Sequence, residues 1–182
     1  DGAWDGPVQD WISHKEKYQK YCKNFRSVFQ AGGNHGLYAR LFSNLFQNVY
    51  TFEPDPLNFH CLVNNCQSPN IFKFNCALGA TPKLISLDRP TMQNTGMHQV
   101  SAAPGHIPML TLDTFPVVDL DLIQLDVEGY EYDVLLGGVN TIRFHSPVIS
   151  VERTNSSIDS LLGNLGYTRG DQSHADTFYW KA

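Results

Sequence analysis

The 182-residue chain has little of what usually announces a function. No run of basic residues occurs, and a net charge of −5 with a pI near 5.7 argues against a nucleic-acid backbone as the main partner. No apolar stretch approaches the roughly 20 residues of a membrane span, and the opening residues do not lead one to expect a secretory signal. The expectation is a cytoplasmic protein without a nucleic-acid or membrane partner. Position 1 is Asp rather than Met, as expected of a trimmed chain. Cysteine is sparse: Cys22, Cys61, Cys66 and Cys76 form no C-x-x-C pair. Cys61 and Cys66, five apart on one predicted helix, suit neither a disulfide nor a zinc knuckle, so reduced thiols are expected. There is no internal repeat and no low-complexity tract.

What is present is ordinary in bulk and regular in pattern. Hydrophobic residues make up 42% and charged residues 17%, as in a globular domain. A chain of this length forms one domain that buries roughly 70% of its unfolded surface. Trp4, Val8, Trp11, Ile12, Tyr18 and Cys22 lie at helical spacing, with Pro7 suited to a first turn. Then strand and helix alternate. Apolar runs at 27–31, 48–53, 71–75, 121–127 and 147–152 predict five strands. Helices are predicted after 36, from Pro56, around Tyr130–Leu135 with a stop at Gly137-Gly138, and from an Asn155 or Ser156 cap to Gly166. Residues 167–169 and 177–180 predict a closing β pair. This is an α/β fold: a mostly parallel sheet, a C-terminal antiparallel β pair, and helices on both faces. The stretch 83–112 breaks the rhythm, with no amphipathic helix and two or three short β-like runs between prolines and glycines.

Open α/β sheets bind ligands beyond the carboxyl ends of their strands. Here strand one delivers Gly32-Gly33-Asn34-His35-Gly36, reached through Gln30 and Ala31. Strand two ends in Glu53-Pro54, about twenty residues after the first glycine, where an acid takes ribose hydroxyls. Strand three ends in Asn75-Cys76-Ala77, an edge for an adenine ring; strand four ends in Asp126-Val127-Glu128, and strand five in Glu152. Each alone is an ordinary loop residue, but five ends in register favour an adenosine ligand. The string A-G-G-N-H-G lacks the G-x-G-x-x-G spacing of a dinucleotide turn. Carboxylates at 126 and 128 suit the sulfonium of S-adenosylmethionine better than a pyrophosphate.

The segments VFQAGGNHGLYARLF, VYTFEPDPLNFHCLVNN, FNCALG, TLDTF, DLIQLDVEGYEYDVLLGG and PVISVE occur in the order and spacing of the FkbM-type methyltransferases, which the chain resembles over 25–152. The resemblance implies a Rossmann-like class I fold and S-adenosylmethionine-dependent methylation, usually of a hydroxyl on a sugar or natural product. It assigns Gly32, Asn34 and Gly36 to the loop, Glu53 to the ribose, and Asp126 and Glu128 to the reacting centre. Two positions depart from the family pattern: Gln30 stands where an acid is usual, and Gln124 where a lysine is usual. Residues 1–24 are then expected to pack as a helical segment near the cofactor mouth of a single donor-binding domain, 25–182. The alternatives are an NAD(P)-dependent oxidoreductase and a non-catalytic binding module of the same fold.

The set of cofactor residues expected is Gln30, Ala31, Gly32, Gly33, Asn34, Gly36, Glu53, Pro54, Asn75, Cys76, Ala77 and Asp126. Methyl transfer to an alcohol requires positioning and a base. Candidate catalytic groups are Asp126, Glu128, Glu152, His98 and His106, the histidines lying in the irregular stretch that borders an acceptor pocket. The three acids could also hold Mg²⁺, a hard ion that prefers oxygen; the competing reading has them hydrogen-bonding the donor and the backbone. The partner expected is a small-molecule or glycan acceptor.

Overall fold

The structure, a computed structural model, describes residues 6–88, 99–101 and 105–181, and the side chains of 11–88 and 105–181. The first helix, α1 (Gly6–Tyr21), is followed by β1 (Ser27–Ala31), α2 (Leu37–Ser43), β2 (Asn48–Phe52), α3 (Pro56–Asn65) and β3 (Ile71–Phe74). Four short strands come next: β4 (Ala77–Leu78), β5 (Lys83–Asp88), β6 (Gln99–Ser101) and β7 (Ile107–Leu110). The chain then runs through a 3-10 turn, Leu112–Thr114, into β8 (Leu122–Leu125), α4 (Glu131–Leu136), α5 (Val139–His145), β9 (Val148–Val151), α6 (Ser156–Asn164), β10 (Thr168–Ser173) and β11 (Asp176–Trp180).

Seven of these strands form one sheet in the order β3-β2-β1-β8-β9-β11-β10. The five from β3 to β9 are parallel, and β11 is antiparallel to both neighbours. Every residue of β1, β8 and β9 is buried, as central parallel strands require. Alternate residues serve two cores. Phe29, Ala31, Ile123, Leu125, Ile149 and Val151 face α4 and α6, whereas Val28, Leu122 and Val148 face α1 and α2. The second sheet, β4-β7-β5-β6, fills the place between β3 and β8 where an alternating fold would put a crossover helix. Three prolines and two glycines in that stretch explain the substitution: no apolar stripe at helical spacing exists to build a helix. Pro90, Gly96 and Pro104 lie outside the described residues.

Side-chain caps set where the helices start. Asp55 accepts from the backbone N–H groups of Leu57 and Asn58 at the head of α3, and Asn155 does the same for Ser157 and Ile158 at α6. Gly137-Gly138 ends α4 as expected, but a further helix, α5, starts at once. Its cap is distant in sequence: Asp113 accepts from the N–H groups of Asn140 and Thr141. The apolar stripe of α1 holds only in part. Tyr18 and Cys22 are buried, Trp11 packs edge-on against Tyr38 and Phe42, and Ile12 is about half exposed. Trp4 and the Val8 side chain lie outside what is described. No helix among the described residues is long and apolar enough to cross a membrane.

Two glycines of the first turn are fixed by geometry. Gly32 has φ +90°, and a Cβ there would lie 1.9 Å from the carbonyl oxygen of Asp126. Gly36 has φ +89°, with Cys66 Sγ 2.4 Å from the same construction. Gly129 has φ +100° but nothing within 4 Å. Gly129→Ala should therefore cost only the left-handed backbone penalty, about 1–2 kcal/mol, while Gly32→Ala adds a clash with main chain and should cost about 3 kcal/mol or more. Urea denaturation of the two variants measures the difference.

Candidate active site

The cavity beneath the glycine turn begins with Glu53. This acid is 5% exposed, yet both its oxygens are held: Oε2 accepts from the Asn34 backbone N–H at 2.7 Å and Oε1 from that of Asp55 at 2.8 Å. Asn58, one turn into α3, also hydrogen-bonds it. The carboxylate thus ties the loop after β1 to the end of β2. Burial pushes its pKa up to about 7 despite those donors.

From Glu53 a cavity of ≈ 240 Å³ runs along the carboxyl edge of the sheet. Ala31, Gly32 and Asn34 line it from the first turn, Phe52, Glu53 and Pro54 from the second strand end, and Asn58 from α3. Cys76, Ala77 and Leu78 line it where β3 passes into β4. Asp126, Val127, Glu128 and Tyr130 follow β8, Glu152 follows β9, and Leu87 reaches in from the small sheet. The aromatic layer of Phe52, Phe74 and Phe115, with ring centroids 4.8 to 5.1 Å apart, supports its floor.

At the far end three carboxyl groups meet. One oxygen each of Asp126, Glu128 and Glu152 lie within 4.8 Å of one another. Burial is the main reason that the Asp126 pKa rises to about 8, and the negative charge of Glu152 close by adds to the effect, as do Asp176 and Glu128. Glu128 is also raised by burial, with Arg153 pulling it back. The Arg153 guanidinium approaches Glu128 Oε2 to 2.6 Å, though poorly aligned for a hydrogen bond, and lies 3.8 Å from Glu152 Oε2. Glu128 sits at φ 52° and Gly129 at φ 100° in the turn after β8. That turn is held from inside by the buried Glu131, whose Oε1 accepts from the Gly129 N–H at 3.1 Å.

The acids of this cluster are close enough to surround a cation. The guanidinium beside Glu128 already supplies one, so the arrangement gives no support to Mg²⁺. An organic ligand with donors and a positive charge fits better. Asn34 Oδ1 and Glu152 Oε2 are buried acceptors without a hydrogen-bond partner among the described residues, and both residues line the cavity.

Several residues expected at the site serve it from outside. Gln30 is 1% exposed; its Nε2 donates to the Gly32 carbonyl at 2.7 Å, and its Oε1 accepts from the Thr51 hydroxyl. Both ends of the amide are consumed in shaping the loop. Gly33 packs on Thr51 and Leu62, Gly36 on Cys66, and Asn75 donates to the Glu53 carbonyl. None of these four lines the cavity. His106 is exposed and does not line it either, and His98 lies outside the described residues. Conversely, sequence reasoning missed Leu87, Asn58 and Arg153, and it placed Tyr130 only in the helix after strand four. Arg153 was signalled only by its place after Glu152; Leu87 lies in one of the short β runs expected in 83–112, but nothing in that run says that it reaches the cavity.

A family model for the methyltransferase FkbM domain matches residues 30–169. The chain belongs to that family. It is similar to the hexuronic acid methyltransferase AglP of Haloferax volcanii, 27% identical over 124 residues, which are 64% of this chain and 51% of that protein. It is also similar to the methyltransferase FkbM structure from Methylobacillus flagellatus KT, with TM-score 0.60 and 18% identity over 91% of this chain and 50% of that one. The N-methyltransferase NodS of Bradyrhizobium japonicum WM9, solved with S-adenosyl-L-homocysteine, shares the fold at TM-score 0.56 and 9% identity, covering 99% of this chain and 87% of that one. The chain spans about half the length of the first two relatives. These likenesses establish the Rossmann-like class I methyltransferase fold.

Within this FkbM domain, two positions that depart from the family pattern oppose each other: Gln30 of β1 pairs with Gln124 of β8. Both are buried. A carboxylate at 30 would face the Gly32 carbonyl that the amide now donates to, in a site with almost no solvent. Gln30→Glu should therefore destabilise the fold by about 2–3 kcal/mol, seen as a lower urea midpoint.

Glu53 and Asp126 also make stability depend on pH. Their pKa values stand above those of the unfolded chain, so the fold binds protons more tightly. The resulting stabilisation is complete below about pH 4 and is lost as pH rises through 7 to 8. Glu53 alone accounts for up to about 3 kcal/mol. Melting temperature should fall between about pH 5 and 9, and Glu53→Gln should flatten the fall.

Proposed function

We propose that the cavity binds S-adenosylmethionine and that the chain transfers its methyl group to a hydroxyl of a sugar or small natural product. The observation that carries this reading is the two-ended cavity itself. At one end a buried carboxylate, Glu53, meets the glycine turn; at the other, three acids meet. The fold and the family membership support a methyl donor, and NodS in complex with S-adenosyl-L-homocysteine supports which one. The hexuronic acid methyltransferase supports a sugar acceptor.

In this reading Glu53 accepts the ribose hydroxyls while Asn34 and Asn75 hold its loop and strand end in place. Cys76, Ala77 and Leu78 flank the adenine, and Asn34 Oδ1 takes a donor of the amino-acid tail. The bound donor would supply an electrophilic methyl group. Asp126, Glu128 and Glu152 lie at the junction with the acceptor, where a carboxylate orients the hydroxyl and removes its proton. A thermal-shift panel tests the donor: S-adenosylmethionine and S-adenosylhomocysteine should stabilise the chain, NAD and NADP should not. Glu53→Gln keeps one acceptor oxygen and loses the charge, so calorimetry should show donor affinity reduced about tenfold or more. Stabilisation by NAD alone would overturn the reading in favour of an oxidoreductase.

A further inference from the structure

Three carboxyls in one small space must settle their charge. Asp126 brings an oxygen within 4.8 Å of an oxygen of both Glu128 and Glu152, and burial together with that neighbouring negative charge holds a proton on it. With that proton and the Arg153 guanidinium, the cluster keeps a single net negative charge. Further negative charge bears on it from Asp176 of β11, and Glu131 bears on Glu128. Asp176 is itself held by the Ser150 hydroxyl at 2.6 Å and lies 3.9 Å from His14 of α1. Arg153 is the one basic side chain paired with a cavity-lining acid among the described residues.

We propose that this cluster exchanges the proton on Asp126 for the positive charge of the methyl donor. Resting on the donor assignment above, the exchange works as follows. A sulfonium beside Glu152 offers the cluster a positive charge that the proton otherwise supplies, so the proton leaves Asp126 for solvent. Binding thus creates the base. An acceptor hydroxyl then gives its proton to Asp126, its oxygen forms the new C–O bond, and the S–C bonding pair returns to sulfur as a neutral thioether. The cluster ends with the proton it began with, and the neutral product has lost its electrostatic hold.

Calorimetric titration near neutral pH, in buffers of different ionisation enthalpy, reads the exchange directly. S-adenosylmethionine should release about one proton more than S-adenosylhomocysteine, which carries the same amino-acid tail without the charge on sulfur. Asp126→Asn should abolish that difference while both ligands still bind; Glu152→Gln serves if the first variant fails to fold. Equal proton counts for the two ligands in the wild-type chain, or a difference unchanged in a folded variant, would overturn the proposal. If neither ligand binds, the donor assignment fails and the exchange falls with it.

Discussion

The carboxylate of Glu53 is the constraint on which the site depends. It has two oxygens and it spends one on the loop after β1 and the other on the turn into α3. Both of these N–H groups donate to this one side chain, and a buried N–H left unpaired costs about 1–3 kcal/mol. The loop and the strand end therefore move as one piece. Gly32 completes the constraint from the other side, since its Cα lies against the Asp126 carbonyl where no side chain fits. The three central strand ends are thus held in contact by one side chain and by the lack of another.

Much of this was legible in the sequence because parallel strands advertise themselves. SVFQA, LIQL and VISV are apolar without alternation, and only strands buried on both faces read that way. Their ends then located Gly32, Glu53, Asp126, Glu128 and Glu152 at the cavity. What was illegible falls into two kinds. The β runs of 83–112 were visible but not how they pair or that Leu87 reaches the cavity, and the helix α5 is seven residues long with its cap, Asp113, some 27 positions away. Local pattern cannot report a cap that tertiary folding supplies. Gln30 failed differently. Its position beside the loop was read correctly, but an amide that bonds its own loop cannot be told from one that bonds a ligand until the carbonyl of Gly32 is located.

The motifs that carry the family likeness divide along the same line. In LDVEGYE, Asp126 and Glu128 reach the cavity, while Glu131 turns inward to hold the backbone of Gly129. In TLDTF, Asp113 caps α5 and Phe115 closes the aromatic layer under Phe52 and Phe74. Neither residue of the second motif touches the cavity. An acid in a recurrent motif therefore says that a charge is needed there, and only its partners say whether the need is chemical or architectural.

The placement of β11 bears on how the chain can fold. This strand lies between β9 and β10, so the sheet has a gap until residues 176–180 have been made, and Ser13 and His14 of α1 rest on Ser173 beside the turn of the same hairpin. Contacts some 160 residues apart must close before either core is sealed. Such long-range pairing slows folding and exposes strand edges meanwhile. During synthesis, the parallel strands would wait with the β9 edge open until β11 emerges, and an open strand edge is a ready template for pairing with another chain.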